Sequence, residues 1–506
     1  MMKHLLLVFL ASTLSLHGQS TALEAVRQSD HSRLQSLIEA QEDLNAADAN
    51  GITALHQAAL QDDLKGVRML LEGKANPSVM TDYGITPLWL ACQSGNASVV
   101  RALLKAGAAV DQMFPGKHSA LMMAARVGNL ESVQALANHG AELNTRESRG
   151  QTAIMWASAE GHADVVAWLI EAGADFRSPL KSGFTPLFFA IREGRHEVVQ
   201  TLIEAGIDIH EAMDPERRAS RGPQSGMTPL LMAVENGHFE LAIELVKAGA
   251  DPDDLRPGYA ALHAITWVRK PDSGEGVNGL PPPDGSGNLT SLEFVKKILS
   301  LGADVNIRIP NGHGGAGKFS RQGATPFLMA AKTADLKLLK LLHQYGADPT
   351  ILNEDEVTPL IAAAGLGTVA AGEVAGTEEE VMETVHWLLE KGMDINAVST
   401  KGETVMHAAA YKNLPRVIKF MAGHGADIEV WNKANQHGWT PLLIAEGFRP
   451  GNFKPSFETI ASIHEVMLAA GTTPPPPTQA KGINNTDYTS PKQKKADAEL
   501  WKKDNQ

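Results

Sequence analysis

A glycine-rich stretch of the sequence, NGHGGAGKFS at Asn311 to Ser320, has the spacing of a phosphate-binding loop. The pattern G-x-x-x-x-G-K runs from Gly312 to Lys318, and loops of this kind hold nucleotide phosphates on their backbone amides. The pattern also requires Ser or Thr after the lysine as a magnesium ligand, but Phe319 occupies that position. Such a loop must open a helix directly, whereas the next helix is predicted to begin only at Pro326.

A weaker form of the same chemistry is anion binding without hydrolysis. Arg308, Lys318 and Arg321 lie in or beside the stretch, and the amides of consecutive glycines can converge on an anion. A solvated hairpin tip that binds nothing explains the same residues. We therefore predict no nucleotide partner and no cofactor, and keep the three basic residues as candidate anion ligands.

The remaining candidates for metal binding or nucleophilic catalysis are eighteen histidines and one cysteine, Cys92. The sequence contains neither H-E-x-x-H nor G-x-S-x-G. Cys92 follows Ala91 in a slot for small residues, which favours a buried, inert thiol over a nucleophile. We predict no catalytic residue and no metal ligand.

Residues 1–20 have the pattern of an export signal. Lys3 precedes an apolar run of twelve residues, Leu5 to Leu16, which is shorter than the roughly 20 residues of a membrane span. The small residues Gly18 and Ser20 favour cleavage after Ser20 or, alternatively, after Gly18. A buried N-terminal helix is the other interpretation. We expect an exported protein, periplasmic or extracellular, without stable membrane insertion.

An internal repeat organises the rest of the chain. A motif resembling T-P-L recurs at Thr53, Thr86, Ser119, Thr152 and Thr185, each 33 residues after the one before. Further copies begin at Thr228, Ala260, Thr325, Thr358, Thr404 and Thr440. Between copies lie an apolar run such as VVRALLKAG and a relative of G-A-D. This period indicates units that cannot bury their apolar faces alone and must stack.

Each part of the repeat has a physical role in a pair of helices. The Thr is placed to cap the first helix, and the Pro after it is tolerated in a first turn because its missing N–H would be unpaired there. The Leu and the paired small residues pack against the neighbouring unit. The Gly of G-A-D suits the left-handed residue that ends the second helix.

On these motifs the sequence resembles the ankyrin-repeat family, over roughly residues 22–470. The resemblance implies an all-α repeat solenoid of about 11 repeats plus an N-terminal capping repeat, with extended β-hairpin fingers. It also implies that His56, His263 and His407 make structural hydrogen bonds. Two positions depart from the pattern: Lys74 stands where later units have the G-A-D glycine, and Ala260 replaces the capping Thr.

Irregular spacings locate insertions and domain boundaries. We predict insertions near residues 207–226, 269–290, 307–323 and 366–378. The predicted segments are a signal peptide at 1–20, an N-terminal capping repeat at 21–50, the solenoid at 51–470, and a Pro-rich linker with a disordered tail at 471–506.

The family resemblance also suggests which residues face a partner. The residue before Thr-Pro and the residue after the T-P-L-H motif tend to lie on the inner, concave surface of such arrays. Large apolar residues occupy these positions at Leu90, Met123, Trp156, Phe184, Phe189, Met232 and Tyr259. Ordinary packing between helices explains the same pattern. As a hypothesis, Trp156 and Phe189 are the central anchors of a protein partner.

The leading function is therefore a non-enzymatic protein-binding scaffold acting outside the cytoplasm. A net charge of −13 argues against nucleic acid as the partner. The alternative is an enzyme or small-ligand binder whose site is built from the insertions between residues 207 and 378.

Overall fold

The computed structural model describes residues 21–113, 116–216, 225–271, 283–312, 319–369, 371–372, 374–449 and 454–477. Within these ranges the chain forms 25 α-helices and no β-strand. The predicted signal peptide, Lys318 and most of the predicted tail lie outside the described residues. The chain divides into two compact units, residues 1–207 and 208–506.

The first unit contains twelve of the described helices, arranged as six successive pairs. They are α1 (Ala22–Arg27), α2 (His31–Glu39), α3 (Ala54–Leu60), α4 (Leu64–Glu72), α5 (Pro87–Ser94), α6 (Ala97–Lys105), α7 (Ala120–Val127), α8 (Leu130–Asn138), α9 (Ala153–Glu160), α10 (Ala163–Glu171), α11 (Pro186–Arg192) and α12 (His196–Glu204). Each first helix contacts the first helix of the next pair, and the second helices do the same. This contact pattern is the stack that the repeat predicts.

The second unit contains the other thirteen described helices and is less regular. They are α13 (Pro229–Glu235), α14 (Phe239–Lys247), α15 (Ala261–Arg269), α16 (Ser291–Ser300), α17 (Pro326–Lys332), α18 (Leu336–Gln344), α19 (Pro359–Ala363), α20 (Glu378–Glu390), α21 (Val405–Lys412), α22 (Pro415–Gly423), α23 (Ile428–Trp431), α24 (Pro441–Ala445) and α25 (Phe457–Ala469). Twenty-one residues separate α15 from α16, and α19 has only five residues. The first irregularity coincides with the insertion predicted at 269–290, and α19 ends just before the one predicted at 366–378.

A Thr or Ser hydroxyl caps most of the first helices. Thr86, Ser119, Thr228, Thr325, Thr358 and Thr440 have ψ between 157° and 165° and accept a bond of 3.1–3.3 Å from the third helical amide. At Thr53 and Thr404 ψ is 170° and 172°, and the bond lengthens to 3.5 Å. At Thr152 and Thr185, with ψ of 171° and 170°, the bond is absent. The capping prediction is thus confirmed at eight of these ten positions; ψ alone does not account for the other two, since Thr53 and Thr185 share a ψ of 170° and only Thr53 makes the bond.

The loops that connect successive pairs are turns rather than strands in the described residues. The long loop before α13 is closed at its base by two backbone bonds between Met213 and the segment Gly226–Met227, both 2.8 Å. The long loop before α17 is closed in the same way between Ile309 and the segment Gly323–Ala324, at 2.8 and 3.0 Å. The predicted β-hairpin fingers are therefore hairpin-like connections held by a few bonds, too few for a ladder.

The second helices end at a left-handed residue, as predicted. Gly107 has φ of +88° and a Cβ added there would meet no atom within 4 Å, so only the backbone angle demands glycine. The equivalent residue of the first full repeat, Lys74, also adopts φ of +68°. A left-handed residue with a Cβ costs about 1–2 kcal/mol.

We expect Lys74→Gly to raise the free energy of unfolding by up to about 1 kcal/mol, because relief of the left-handed strain exceeds the added freedom of the unfolded chain. Gly107→Lys is the reciprocal control and should destabilise the first unit by a similar amount. Urea unfolding of the full chain measures both. A lower midpoint for Lys74→Gly would contradict this account of the helix ends.

Candidate interaction surface

Three successive first helices present large apolar side chains at the same repeat position. Leu90 on α5, Met123 on α7 and Trp156 on α9 are each half-buried. Because α5 contacts α7 and α7 contacts α9, these side chains form a row across the stack. We call Leu90, Met123 and Trp156 the inner row.

Charged side chains lie beside the inner row at Trp156. The Arg126 guanidinium lies 5.1 Å from the centre of the indole, and the His118 ring lies 6.2 Å away. Arg126 also bonds to Glu160, with Nε 3.2 Å from Oε1. Sequence reasoning missed Arg126 and Glu160, although residues three or four positions after the inner row must share its helix face.

Further exposed apolar side chains of the first unit lie on first helices or in the loops that precede them. Among its described residues, the exposed large hydrophobic side chains are Leu60 48%, Met80 49%, Tyr83 57%, Met113 42% and Val127 39%. All five belong to a first helix, to its end, or to the loops before the first helices; none belongs to a second helix. For Met80, Tyr83 and Met113 the sequence signal was a large apolar residue inside a loop.

Phe184 and Phe189 require a correction, because neither is an exposed anchor. They are only 8% and 5% exposed, with ring centres 5.0 Å apart. The Arg192 guanidinium lies 5.2 Å from the first ring and 5.3 Å from the second. The two rings and the arginine cover one another, so Phe189 is part of the packed interior.

Met232 and Tyr259, the two residues of the second unit that were predicted to face a partner, also pack against the interior of the chain. Met232 is 6% exposed. Tyr259 is half-buried, donates a hydrogen bond of 2.6 Å to Glu235, and stacks edge-on against Trp267 at 4.8 Å. Burial raises the pKa of the Glu235 carboxyl. Since Tyr259 uses its hydroxyl inside the chain, it is a poorer contact residue than the sequence suggested.

The candidate anion ligands have partners within the chain. Arg308 donates to the carbonyl oxygens of Gly323 and Leu352, both at 3.1 Å. The Arg321 guanidinium lies 5.3 Å from the Trp267 ring. Lys318 lies outside the described residues. Arg308 therefore acts as a brace between neighbouring loops, and anion binding remains a prediction.

The histidines of the T-P-L-H position are structural, as the resemblance implied. His56 and His407 link their capping Thr to a carbonyl of the next loop, with Nε2 2.9 Å from the Ile85 oxygen and 3.0 Å from the Lys433 oxygen. Burial lowers the pKa of His407 to about 4, so the ring is neutral. The expected burial of Cys92 is confirmed, and burial raises the pKa of its thiol well above the usual range.

One cavity of roughly 510 Å³ lies among the insertions of the second unit. Two ion pairs line it: Arg269 to Asp335 at 2.7 Å, and Lys270 to Glu380 at 2.5 Å. The hydroxyl of Ser291, which also lines the cavity, accepts a hydrogen bond from Arg269. Among the described lining residues, these charged groups and the hydroxyl bond to one another, and no nucleophilic side chain is paired with a histidine. Nor does any described group of three His, Cys, Asp or Glu side chains have an arrangement that could hold a metal.

Comparison with known families agrees with this architecture. A family profile described as "Ankyrin repeats (3 copies)" matches residues 22–114, 121–213, 180–256 and 374–452. A second, "Ankyrin repeat", matches residues 322–354. The chain belongs to the ankyrin-repeat family. Ankyrin repeats generally mediate protein–protein interaction, and proteins of this kind are typically non-enzymatic scaffolds.

Curated relatives share only short segments with this ankyrin-repeat chain. It is 32% identical over 107 residues to ankyrin repeat, SAM and basic leucine zipper domain-containing protein 1 of Dasypus novemcinctus, covering 21% of each chain. It is 30% identical over 128 residues to a transient receptor potential cation channel subfamily A member 1 homolog of Caenorhabditis elegans, covering 25% of this chain and 9% of the relative. The crystal structure of the human ASB11 ankyrin repeat domain aligns with a TM-score of 0.40 at 26% identity, covering 46% of this chain and all of that one. No helix in the described ranges combines the length and hydropathy of a membrane span.

A buried carboxyl in the last ankyrin repeats is a titratable group that sequence reasoning did not single out. Glu403 is 2% exposed and accepts bonds from Asn435 Nδ2 at 2.9 Å and Tyr411 Oη at 3.2 Å. Its other oxygen is buried without a hydrogen-bond partner in the described structure. Burial outweighs these bonds and the charge of Lys401, and raises the pKa of Glu403 to about 7.

This pKa predicts that the contribution of Glu403 to the stability of the second unit is lost as pH rises. The folded state binds a proton at Glu403 that the unfolded chain has released above its ordinary pKa of 4.5, so the contribution of this group to stability falls between about pH 4.5 and pH 7. Glu403→Gln keeps the acceptor and removes the charge. We expect the free energy of unfolding of this variant to exceed that of the wild type by roughly 3 kcal/mol at about pH 8, and by almost nothing at about pH 4.5.

Denaturant unfolding across this pH range measures the effect. The exposed residue Glu383 provides the control, since Glu383→Gln should change stability little at any pH. If Glu403→Gln raised the free energy of unfolding equally at about pH 4.5 and about pH 8, the assigned titration of Glu403 would be contradicted.

Proposed function

We propose that this chain is a non-enzymatic scaffold that binds a protein partner through the loops and first helices of its first unit. The single observation that carries the proposal is the distribution of exposed apolar side chains in that unit. All those described lie in loops or on first helices, the element type that also carries the inner row Leu90, Met123 and Trp156. Exposed apolar surface that is confined to certain elements is typical of a binding surface.

The residue types support a protein as the partner. Tyr83, Trp156 and the methionines Met80 and Met113 are of the kinds enriched at the centres of protein interfaces. Arg126 and Glu160 beside Trp156 supply a polar rim of both charge signs. The surface has a mixed charge and the whole chain is acidic at −13, which favours a protein over nucleic acid.

We propose further that the partner is met outside the cytoplasm. The support is the sequence of residues 1–20, with Lys3 before an apolar run of twelve residues and small residues near Ser20.

The binding surface predicts that Trp156→Ala and Tyr83→Ala each weaken partner affinity at least tenfold. Covering a large apolar side chain contributes about 1.5–3 kcal/mol, and tenfold corresponds to about 1.4 kcal/mol. The partner is first captured on the immobilised chain from the source's periplasm or medium, and calorimetry then gives the affinity of each variant.

Trp168 is the matched control for Trp156, since it is also half-buried but lies on α10, the second helix of the same repeat. Trp168→Ala loses similar packing and should leave affinity unchanged. Phe189→Ala should instead destabilise the chain by about 3–5 kcal/mol, because it empties a buried site. Equal losses of affinity for Trp156→Ala and Trp168→Ala would refute the proposed surface.

The export proposal predicts a mature chain that starts at Thr21, or at Gln19 if cleavage follows Gly18. Mass spectrometry of the protein from cell fractions of its native source gives the start directly. Intact Met1 on protein confined to the cytoplasm would overturn it.

A further inference from the structure

Three successive loops of the first unit carry an exposed basic residue near their tips. Lys117 precedes α7, Arg149 precedes α9 and Lys181 precedes α11. Each lies within the four residues before the capping Ser or Thr of its helix, and those residues include no Asp or Glu. The charge changes sign at Asp82, in the loop before α5, so the basic stretch covers three repeats. We call Lys117, Arg149 and Lys181 the tip row.

The tip row borders the inner row. The backbone amide of the residue before Arg149 donates a bond of 2.8 Å to the carbonyl of the residue before Lys117, which joins these two loops. The ring of His118, the residue after Lys117, lies 6.2 Å from the Trp156 indole. The two rows therefore belong to one surface, with cations on the loops and apolar side chains on the first helices.

Lys117 occupies a backbone position that is glycine in the neighbouring repeats. The residue two before the capping Ser or Thr has φ between +74° and +88° in the other four full repeats of this unit, where it is Gly51, Gly84, Gly150 and Gly183. Lys117 adopts φ of +63°. Since a left-handed residue with a Cβ is strained, glycine would be the more stable residue here. Strain of this kind is typical of functional positions, and a positive charge at the tip is what Lys117 adds over glycine.

The second helices of the same three repeats have the opposite charge. The helices α8, α10 and α12 contain no Lys or Arg, whereas their exposed acidic residues are Glu131, Asp164, Glu171, Glu197 and Glu204. An acidic ligand is therefore attracted to the loop side of these repeats and repelled from the side of the second helices.

We infer that the partner of this surface presents an acidic segment in the polyproline II conformation, with a carboxylate at every third residue. The carboxylates pair with the tip row, and apolar side chains between them cover the inner row. Aromatic side chains such as Trp156 are a common platform for this conformation. The inference rests on the protein-binding function proposed above and names the chemistry of the partner.

The spacing of the repeats selects this conformation. The first helix α9 contacts both α7 and α11, and packed helices lie roughly 8–10 Å apart. A polyproline II chain advances about 3.1 Å per residue with about 3 residues per turn, so every third side chain lies on one face at intervals of about 9 Å. In a β-strand, by contrast, every third side chain points to the opposite face. The proposed segment thus places one carboxylate at each basic tip.

Fluorescence anisotropy with the full-length chain and labelled peptides tests the inference. The probe EPPEPPEPPE has a carboxylate at every third residue, and EEPPPPPPEE has the same composition without this period. We expect the probe to bind at least tenfold more tightly than its isomer. Equal affinities for the two peptides would overturn the inference. So would tighter binding of a ten-nucleotide oligo-dT, which also carries regular negative charges.

Reversing the charge of the tip row locates the contact. The variant that combines Lys117→Glu, Arg149→Glu and Lys181→Glu should bind the probe at least tenfold more weakly than the wild type. Because the complementary charge is then on the protein, this variant should bind KPPKPPKPPK instead.

A matched triple variant controls for net charge. It combines Arg68→Glu, Arg101→Glu and Lys105→Glu, at exposed positions of the second helices α4 and α6. It changes the net charge by the same amount and should bind the probe as the wild type does. Equal losses of affinity in the two triple variants would contradict a contact at the tip row.

Lys117→Gly separates binding from stability. We expect this variant to unfold at a higher urea concentration, because the left-handed strain is relieved, and to bind the probe about threefold more weakly. A purely structural residue would not move the two readouts in opposite directions, so an unchanged probe affinity would count against the inference.

The captured partner distinguishes this inference from the binding function on which it rests. If Trp156→Ala weakens the partner's binding and the charge reversal of the tip row does not, the acidic segment is refuted and the protein-binding surface stands. If neither change weakens binding, both proposals fail.

Discussion

Close contact between successive first helices is the constraint on which the rest of this structure depends. The contact is made by paired small residues, Ala58 with Ala59, Ala91 with Cys92 and Ala124 with Ala125, all fully buried. Such pairs let neighbouring helices approach closely, and in three repeats a buried histidine, such as His56, also bonds to the next loop's carbonyl. Repeats stacked in this way place their other side chains on equivalent surfaces, which is why a row such as Leu90, Met123 and Trp156 can form at all.

The insertions of the second unit are tied to this stack rather than appended to it. Arg269, at the end of α15, bonds to Asp335, which is 3% exposed and also caps α18. The Lys412 ammonium, at the end of α21, donates to the Ala375 carbonyl at 2.5 Å. Losing one partner of a buried pair leaves an uncompensated charge, at a cost of about 3–5 kcal/mol. Long loops therefore coexist with the stack because their ends are fixed by buried polar groups at the turns between helices.

The sequence predicted the stack well because its rules are local. Thr-Pro, the small pair and the G-A-D glycine each act within one turn of a helix, and a fixed period repeats them. The exposure of a side chain at a given repeat position, by contrast, depends on neighbouring residues outside that turn of helix. Trp156 and Phe189 occupy the same slot, yet Phe189 is buried because Phe184 precedes its helix and Arg192 folds over both rings. The missing cap at Thr152 was equally out of reach, since its residue type and its ψ of 171° closely match those of Thr404, which does cap its helix.

A binding surface and a stable stack make opposite demands on the first helices. Stability favours burying every large apolar side chain, whereas recognition needs some of them to stay accessible. The first unit meets both demands by position. Residues that face the neighbouring helix, such as Ala124, are buried, while Met123, one residue earlier, is left half-exposed on the adjoining face. Side chains in that intermediate state are already held in place by their neighbours. A partner that covers them therefore gains apolar contact at a smaller loss of side-chain entropy than fully mobile residues would impose.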